Sequence, residues 1–184
     1  MSATVRLADG LHVSDRTLRR AVSRGLLRGV RRSPNKLEIS ARERNYAQTH
    51  WALLQALVRA LRTEAGVQIA VLYGSVAKGS DRQGSDIDLA VELRSGAVTS
   101  VPALERRLER AIGQKVHVVR IADALVDGRF ALEIIDHGRP LVDRADRWLA
   151  LRRRRSSLAR LACIQAAERE RQIADAWSRF AQAA

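Results

Sequence analysis

Two strand-forming runs joined by a glycine-rich turn constrain this chain more than any other feature. Val67-Gln68-Ile69-Ala70-Val71-Leu72-Tyr73 is rich in β-favouring residues and leads into Gly74-Ser75-Val76-Ala77-Lys78-Gly79-Ser80. A polar turn ending Gln83-Gly84-Ser85 follows, and Asp86-Ile87-Asp88-Leu89-Ala90-Val91-Glu92-Leu93 reads as a second strand. Ten residues separate Ser75 from Asp86. Gly74 lets the backbone come close to a ligand. The Ser75 hydroxyl and the amides after it can cradle phosphate oxygens, with Lys78 and Arg82 able to reach the same charge. Asp86 and Asp88 stand two apart on a strand, so both carboxylates share one face while Ile87 and Leu89 turn to the core. Neighbouring carboxylates repel unless a cation sits between them, and hard oxygen donors in this arrangement suit Mg²⁺ carrying a nucleoside triphosphate.

Residues 74–89 resemble the DNA polymerase beta-like nucleotidyltransferases, and within them the minimal nucleotidyltransferases, on the strength of Gly74-Ser75-Val76-Ala77-Lys78-Gly79 and Ser85-Asp86-Ile87-Asp88-Leu89. The resemblance extends more weakly to residue 143, through a helix over Val101 to Ile112, a strand over Lys115 to Ile121, and a helix end over Leu132 to His137 before Gly138-Arg139-Pro140-Leu141-Val142. It implies an α/β (α+β) nucleotidyltransferase fold, a small mixed sheet flanked by helices. It also implies transfer of a nucleoside monophosphate, AMP from ATP foremost, to a hydroxyl of a protein or nucleic acid. By this resemblance Gly74 and Ser75 would hold the triphosphate with help from Lys78, and Asp86 and Asp88 would bind the metal. Antitoxin-like members of the minimal group adenylylate toxins, which makes a toxin a candidate partner. One position departs from the pattern: where a third carboxylate belongs, between Val116 and Val118, stands His117. Histidine does not neutralise a second Mg²⁺ as an acid does. It can serve as a general base for the acceptor hydroxyl, or mark a protein that binds nucleotide without turnover.

Residues 1–40 read as a winged helix-turn-helix-like domain. Ser14 can cap a helix beginning Asp15-Arg16-Thr17; Leu18 and Val22 give its apolar side, and Gly25 stops it. The alternation from Leu27 to Ile39 around Pro34-Asn35 suggests a hairpin wing. Arg16, Arg19, Arg20 and Arg24 on the helix, with Arg31 and Arg32 in the wing, form a candidate DNA-binding set. A solvated protein-docking module would carry the same pattern. Residues 41–65 read as a linker helix capped by Ser40, with Glu43 placed for a capping box and Gly66 ending it. His50 reads as a packed or surface histidine, since its own helix face offers no ligand partner.

Residues 66–143 form the nucleotidyltransferase-like unit and 144–184 a helical tail without Gly or Pro. An interrupted apolar stripe runs along the tail through Trp148, Leu151, Leu158, Leu161, Ile173, Trp177 and Phe180, offering a packing face or an oligomer interface. Cys163 is expected to be buried among small residues; as a single cysteine it excludes a disulfide scaffold. The formal charge of +13 divides into +8 for residues 1–65, −1 for 66–143 and +6 for 144–184. Polyanion contact is therefore expected at the ends rather than in the centre. The 30 arginines against 3 lysines leave genome composition as an alternative cause. No apolar run is long enough to span a bilayer and no signal peptide opens the chain, so the expectation is a cytoplasmic protein without membrane contact. Two functions remain open: a Mg²⁺-dependent nucleotidyltransferase, and a catalytically inactive nucleotide-binding or DNA-binding regulator or antitoxin.

Overall fold

The structure, a computed structural model, describes residues 3–33 and 36–183. The chain begins with α1 (Ala3–Gly10) and α2 (Asp15–Ser23), then a two-stranded antiparallel hairpin of β1 (Val30–Ser33) and β2 (Lys36–Glu38). The Ser14 side chain accepts the Thr17 amide, as the capping pattern predicts, and Gly25 follows α2 in the left-handed region at φ 78°. The expected Pro34-Asn35 turn lies outside the described residues.

The long helix α3 (Ala41–Thr63) ends before Gly66 and starts on Ser40, whose side chain accepts the Glu43 amide. The second half of the expected capping box does not form. The Glu43 carboxylate instead accepts the Arg28 amide and pairs with Arg139, because a buried carboxylate finds stronger partners there than a cap amide.

The central sheet comprises β3 (Val67–Tyr73), β4 (Ile87–Leu93), β5 (Val116–Arg120) and β6 (Arg139–Asp143), in spatial order β5-β4-β3-β6. β4 runs antiparallel to β3 and parallel to β5, while β6 runs antiparallel to β3. Between them lie α4 (Gly74–Lys78), α5 (Val101–Ile112), α6 (Ile121–Ala124) and α7 (Gly128–His137), followed by α8 (Arg147–Arg153) and α9 (Arg155–Ala183). The result is a small mixed sheet flanked by helices, with α5 and β5 where the sequence places them.

Strand alternation sends side chains into two cores. Ala70 and Leu72 of β3, Ile87, Leu89 and Val91 of β4, and Val116 and Val118 of β5 join α3 and α5 on one face. That cluster continues without a break into Leu7, Leu18, Leu27, Leu37 and Ile39, so the N-terminal elements share a core with the sheet. Ile69, Val71, Tyr73 and Ala90 meet Ile121, Ala124, Ile134 and Leu151 on the other face.

Only the first half of the tail packs: Leu151 and Leu158 are buried, whereas Ile173, Trp177 and Phe180 are exposed. Cys163 is exposed as well, contrary to expectation, because the face of α9 that meets α7 is the one carrying Leu158 and Leu161. That contact depends on Gly128, where an added Cβ would lie 2.5 Å from the Ala162 nitrogen and 2.8 Å from the Leu158 oxygen. Both neighbours are backbone and cannot swing aside. Gly128→Val is therefore expected to cost about 1–3 kcal/mol, read as a lowered Tm and faster proteolysis of α9; an unchanged Tm would contradict this packing.

Candidate active site

The two aspartates lie at the end of β4 that β3 leaves for α4. Asp88 pairs in register with Tyr73 on one side and with His117 on the other. Ile87 and Leu89 are fully buried while Asp86 and Asp88 are half-buried, so alternation has set both carboxylates on the opposite face from those core residues. Gly74, at φ 74°, directly abuts Asp88: an added Cβ would lie 2.3 Å from its Oδ2. The position thus excludes any side chain on two grounds, backbone conformation and lack of space.

His117 Nδ1 stands 3.8 Å from Asp88 Oδ1, on the neighbouring strand. Lys115 donates to Asp86 Oδ2 at 2.9 Å. Both contacts follow from the parallel register that places Ile87 beside Val116, so residues 86 and 88 each lie beside a basic side chain 29 positions later. Lys78 is held by Glu133 of α7, with Nζ 2.8 Å from Oε1. Tyr73 meets Phe130 edge to face beneath the site. Arg82 is exposed in the turn after α4, where its amide donates to Ser85 Oγ. It lines a recess with His50, Asp81 and Lys115 rather than with Gly74 and Ser75. The sequence singled out neither Lys115 nor Glu133. The first was readable from the strand register; the second depends on how α7 packs.

Burial, reinforced by the adjacent Asp86 charge and opposed by His117, holds the Asp88 carboxyl above the usual aspartate range. Burial and the Asp88 charge push the Tyr73 hydroxyl up to about 12. A raised carboxyl favours its protonated form in the folded state. The Asp88 contribution to stability is therefore fully present below the unfolded aspartate range and is lost as pH rises through the folded value. Asp88→Asn removes that cost, so it is expected to raise Tm by a few degrees at pH 7, with ~1 kcal/mol being worth about 2–4 °C at this length, and to leave Tm nearly unchanged near pH 3. An equal shift at both values would assign the gain to packing instead.

The donor set can be tested against a divalent cation. Two half-buried carboxylates supply hard oxygen donors on one face, of the kind a single Mg²⁺ takes, with Asp86 paired to Lys115. A second does not fit, because the remaining position holds imidazole, and among the described residues no group of three or more His, Cys, Asp or Glu could hold a metal ion.

A mixed sheet carrying paired aspartates beside a glycine–serine turn defines a nucleotidyltransferase-type fold. The chain belongs to the family described as polymerase beta, nucleotidyltransferase, whose sequence profile matches residues 55–147. A chain of a toxin–antitoxin complex crystallised with AMP-PNP superimposes with a TM-score of 0.51 at 22% identity, covering 67% of this chain and 98% of that one. A chain of the MntA–HepT toxin–antitoxin complex superimposes with a TM-score of 0.50 at 19% identity, covering 69% and 98%. Both likenesses concern the fold. A search of curated proteins finds no significant match. Among the described residues no helix is long and apolar enough to cross a membrane.

Proposed function

We propose that this chain is a Mg²⁺-dependent nucleotidyltransferase of antitoxin type, which transfers AMP from ATP to a hydroxyl of a partner protein. The observation that carries this reading is the Gly74–Asp88 contact, which keeps a carboxylate pair beside the turn that would receive a triphosphate. Similarity to chains from toxin–antitoxin complexes, one of them crystallised with AMP-PNP, supports both the nucleotide and the partner class. Gly74 and Ser75 hold the triphosphate, with Lys78 released from Glu133 to assist and Arg82 at the outer edge. Asp86 and Asp88 hold the Mg²⁺, which when bound screens the phosphate oxygens. The acceptor hydroxyl attacks the α-phosphorus, pyrophosphate leaves, and His117 takes the hydroxyl proton.

A second reading rests on two observations: His117 in place of a third acid, and a helix α2 on which Arg16 and Arg20 are exposed, as is Arg24 at its C-cap. In that reading the N-terminal elements form a DNA-binding winged helix, with Arg16, Arg19, Arg20 and Arg24 toward the duplex and Arg31 and Arg32 on the wing, and the transferase fold only senses nucleotide. Arg19 and Arg32 are already engaged by Asp15 and Glu38, so their contribution to phosphate contact would require exchange of partners.

One experiment separates the two. The protein is incubated with Mg²⁺, each α-labelled nucleoside triphosphate and a cell lysate, beside an Asp86→Ala/Asp88→Ala control. Label on a protein, lost in the control, is the expected result. No label with any nucleotide, together with duplex binding that weakens steeply with salt, would sink the transferase in favour of the regulator.

A further inference from the structure

A second polar cavity, of about 620 Å³, opens between α3, the N-terminal elements and the turn after α4. It is lined by Arg28, Arg42, Tyr46, Thr49, Lys78 and Arg139 together with Glu43 and Asp81; of the candidate transferase residues it takes only Lys78, which Glu133 already pairs, and none of Gly74, Ser75, Asp86, Asp88 or His117. Its volume is that of a small-molecule site. The cationic side chains Arg28, Arg42, Lys78 and Arg139 outnumber the carboxylates Glu43 and Asp81 two to one. Those carboxylates are already engaged, Glu43 by Arg139 and Asp81 by His50.

Two features show that the cavity is short of an acceptor. The Tyr46 hydroxyl is buried with no hydrogen-bond partner among the described residues, although Tyr46 is only 6% exposed. Leaving such a group unpaired is destabilising. The Arg28 guanidinium, on a residue partly open to solvent, is held below its ordinary value by partial burial and then by the charges of Arg139 and Arg42, against the opposing effect of Glu43 and Tyr46, so three guanidiniums lie near one another around one buried carboxylate. The hydroxyl itself is pushed up to about 12 by burial, so it remains a donor across the physiological range. A cavity with unsatisfied donors and surplus positive charge favours an anion with several acceptor oxygens. A carboxylate offers two oxygens, whereas a phosphate offers three or four and carries the larger charge.

We propose that this cavity is a second binding site, separate from the aspartate pair, for a small phosphate-bearing ligand held by Arg28 and Arg42, with the buried Tyr46 hydroxyl reached as the ligand seats. Because Arg28 belongs to the N-terminal elements and Lys78 to the last turn of α4, occupancy would tie those two parts of the chain together.

The test is a thermal-unfolding titration of the full chain with inorganic phosphate, and separately with a nucleoside monophosphate, at constant ionic strength and without Mg²⁺. The wild type is expected to gain Tm saturably with at least one probe. Arg42→Ala, an exposed position that leaves the fold intact, should weaken the response at least tenfold. Tyr46→Phe should unfold no earlier than the wild type without phosphate and also respond at least tenfold more weakly. Asp86→Asn/Asp88→Asn should respond as the wild type does. Equal affinity for the two probes identifies free phosphate as the ligand, and tighter binding of the monophosphate identifies an ester. The proposal is overturned if neither probe saturates by about 10 mM, if Arg42→Ala and Tyr46→Phe both respond as the wild type does, or if the response disappears in the double asparagine variant.

Discussion

Arg139→Ala is expected to cost about 3–5 kcal/mol of unfolding free energy, the usual consequence of stranding one partner of a buried ion pair. At 1% exposure Arg139 is among the most buried side chains in the molecule. Its guanidinium pairs with both oxygens of Glu43, donates through Nε to the Ala77 carbonyl at 2.7 Å and through Nη1 to the Leu26 carbonyl at 3.1 Å, and lies 3.5 Å from the centre of the Tyr46 ring. These partners come from four regions: the segment after α2, α3, α4 and, through Arg139 itself, β6. Removing the guanidinium leaves the Glu43 carboxylate buried beside two orphaned carbonyls, and each loss adds to the others. A chain of this length loses about 2–4 °C per kcal/mol, so Tm should fall by roughly 6–20 °C. The double variant Arg139→Met/Glu43→Leu should recover a large part of that loss, because an apolar pair carries no desolvation cost. If the single variant shifts Tm by less than 2 °C, the pair does not organise the junction. If the double variant is no better than the single, the backbone carbonyls rather than the stranded carboxylate dominate the cost.

The junction also marks where sequence reading reached its range. The strand–turn–strand of residues 67–93 was legible because every signal in it is local: β-favouring residues, glycines where φ is positive, and carboxylates two apart. The helix over Val101–Ile112 came with the weaker part of the resemblance, and the structure has it at those bounds, capped by Ser100 and ended by Gly113. The resemblance marked His117 only as standing at the third-carboxylate position; that it lies beside Asp88 comes from the parallel register of β4 and β5. Nothing local announces that Arg139 pairs with a residue 96 positions earlier, or that His50 Nε2 meets Asp81 at 2.9 Å across 31 positions. An arginine before a proline looks like an exposed strand end until the fold buries it. Cys163 was misjudged for the converse reason: small neighbours on a helix imply close packing only where a partner helix reaches them, and α7 meets a different face of α9. The +8 charge of the first 65 residues likewise suggested a separate basic unit, yet part of it is used internally, by Arg28 on the His137 carbonyl and Arg44 on the Ile39 carbonyl.

If the chain transfers nucleotide, Asp88→Asn should lower the rate by about 10³-fold or more, since removing a carboxylate that holds the phosphate-screening cation forfeits several kcal/mol of transition-state stabilisation. The loss is expected despite the higher Tm argued for the same variant, because the burial that destabilises Asp88 also places it against the Gly74 backbone. His117→Ala should behave differently. An imidazole 3.8 Å from Asp88 on the adjacent strand is close enough to be oriented by that carboxylate, and exposed enough to meet an acceptor hydroxyl arriving from solvent. As a general base it contributes about 10²–10⁴-fold. His117→Ala should be slower by about 10²-fold, while KM for the triphosphate stays within about twofold. His117→Asp supplies the third carboxylate that a second divalent ion requires. It should therefore shift half-maximal Mg²⁺ activation to a different concentration. If His117→Gln, which keeps a hydrogen-bonding side chain but no base, restores the wild-type rate, the histidine only positions Asp88. If His117→Ala leaves the rate unchanged, the proton goes elsewhere and His117 has no part in the chemistry.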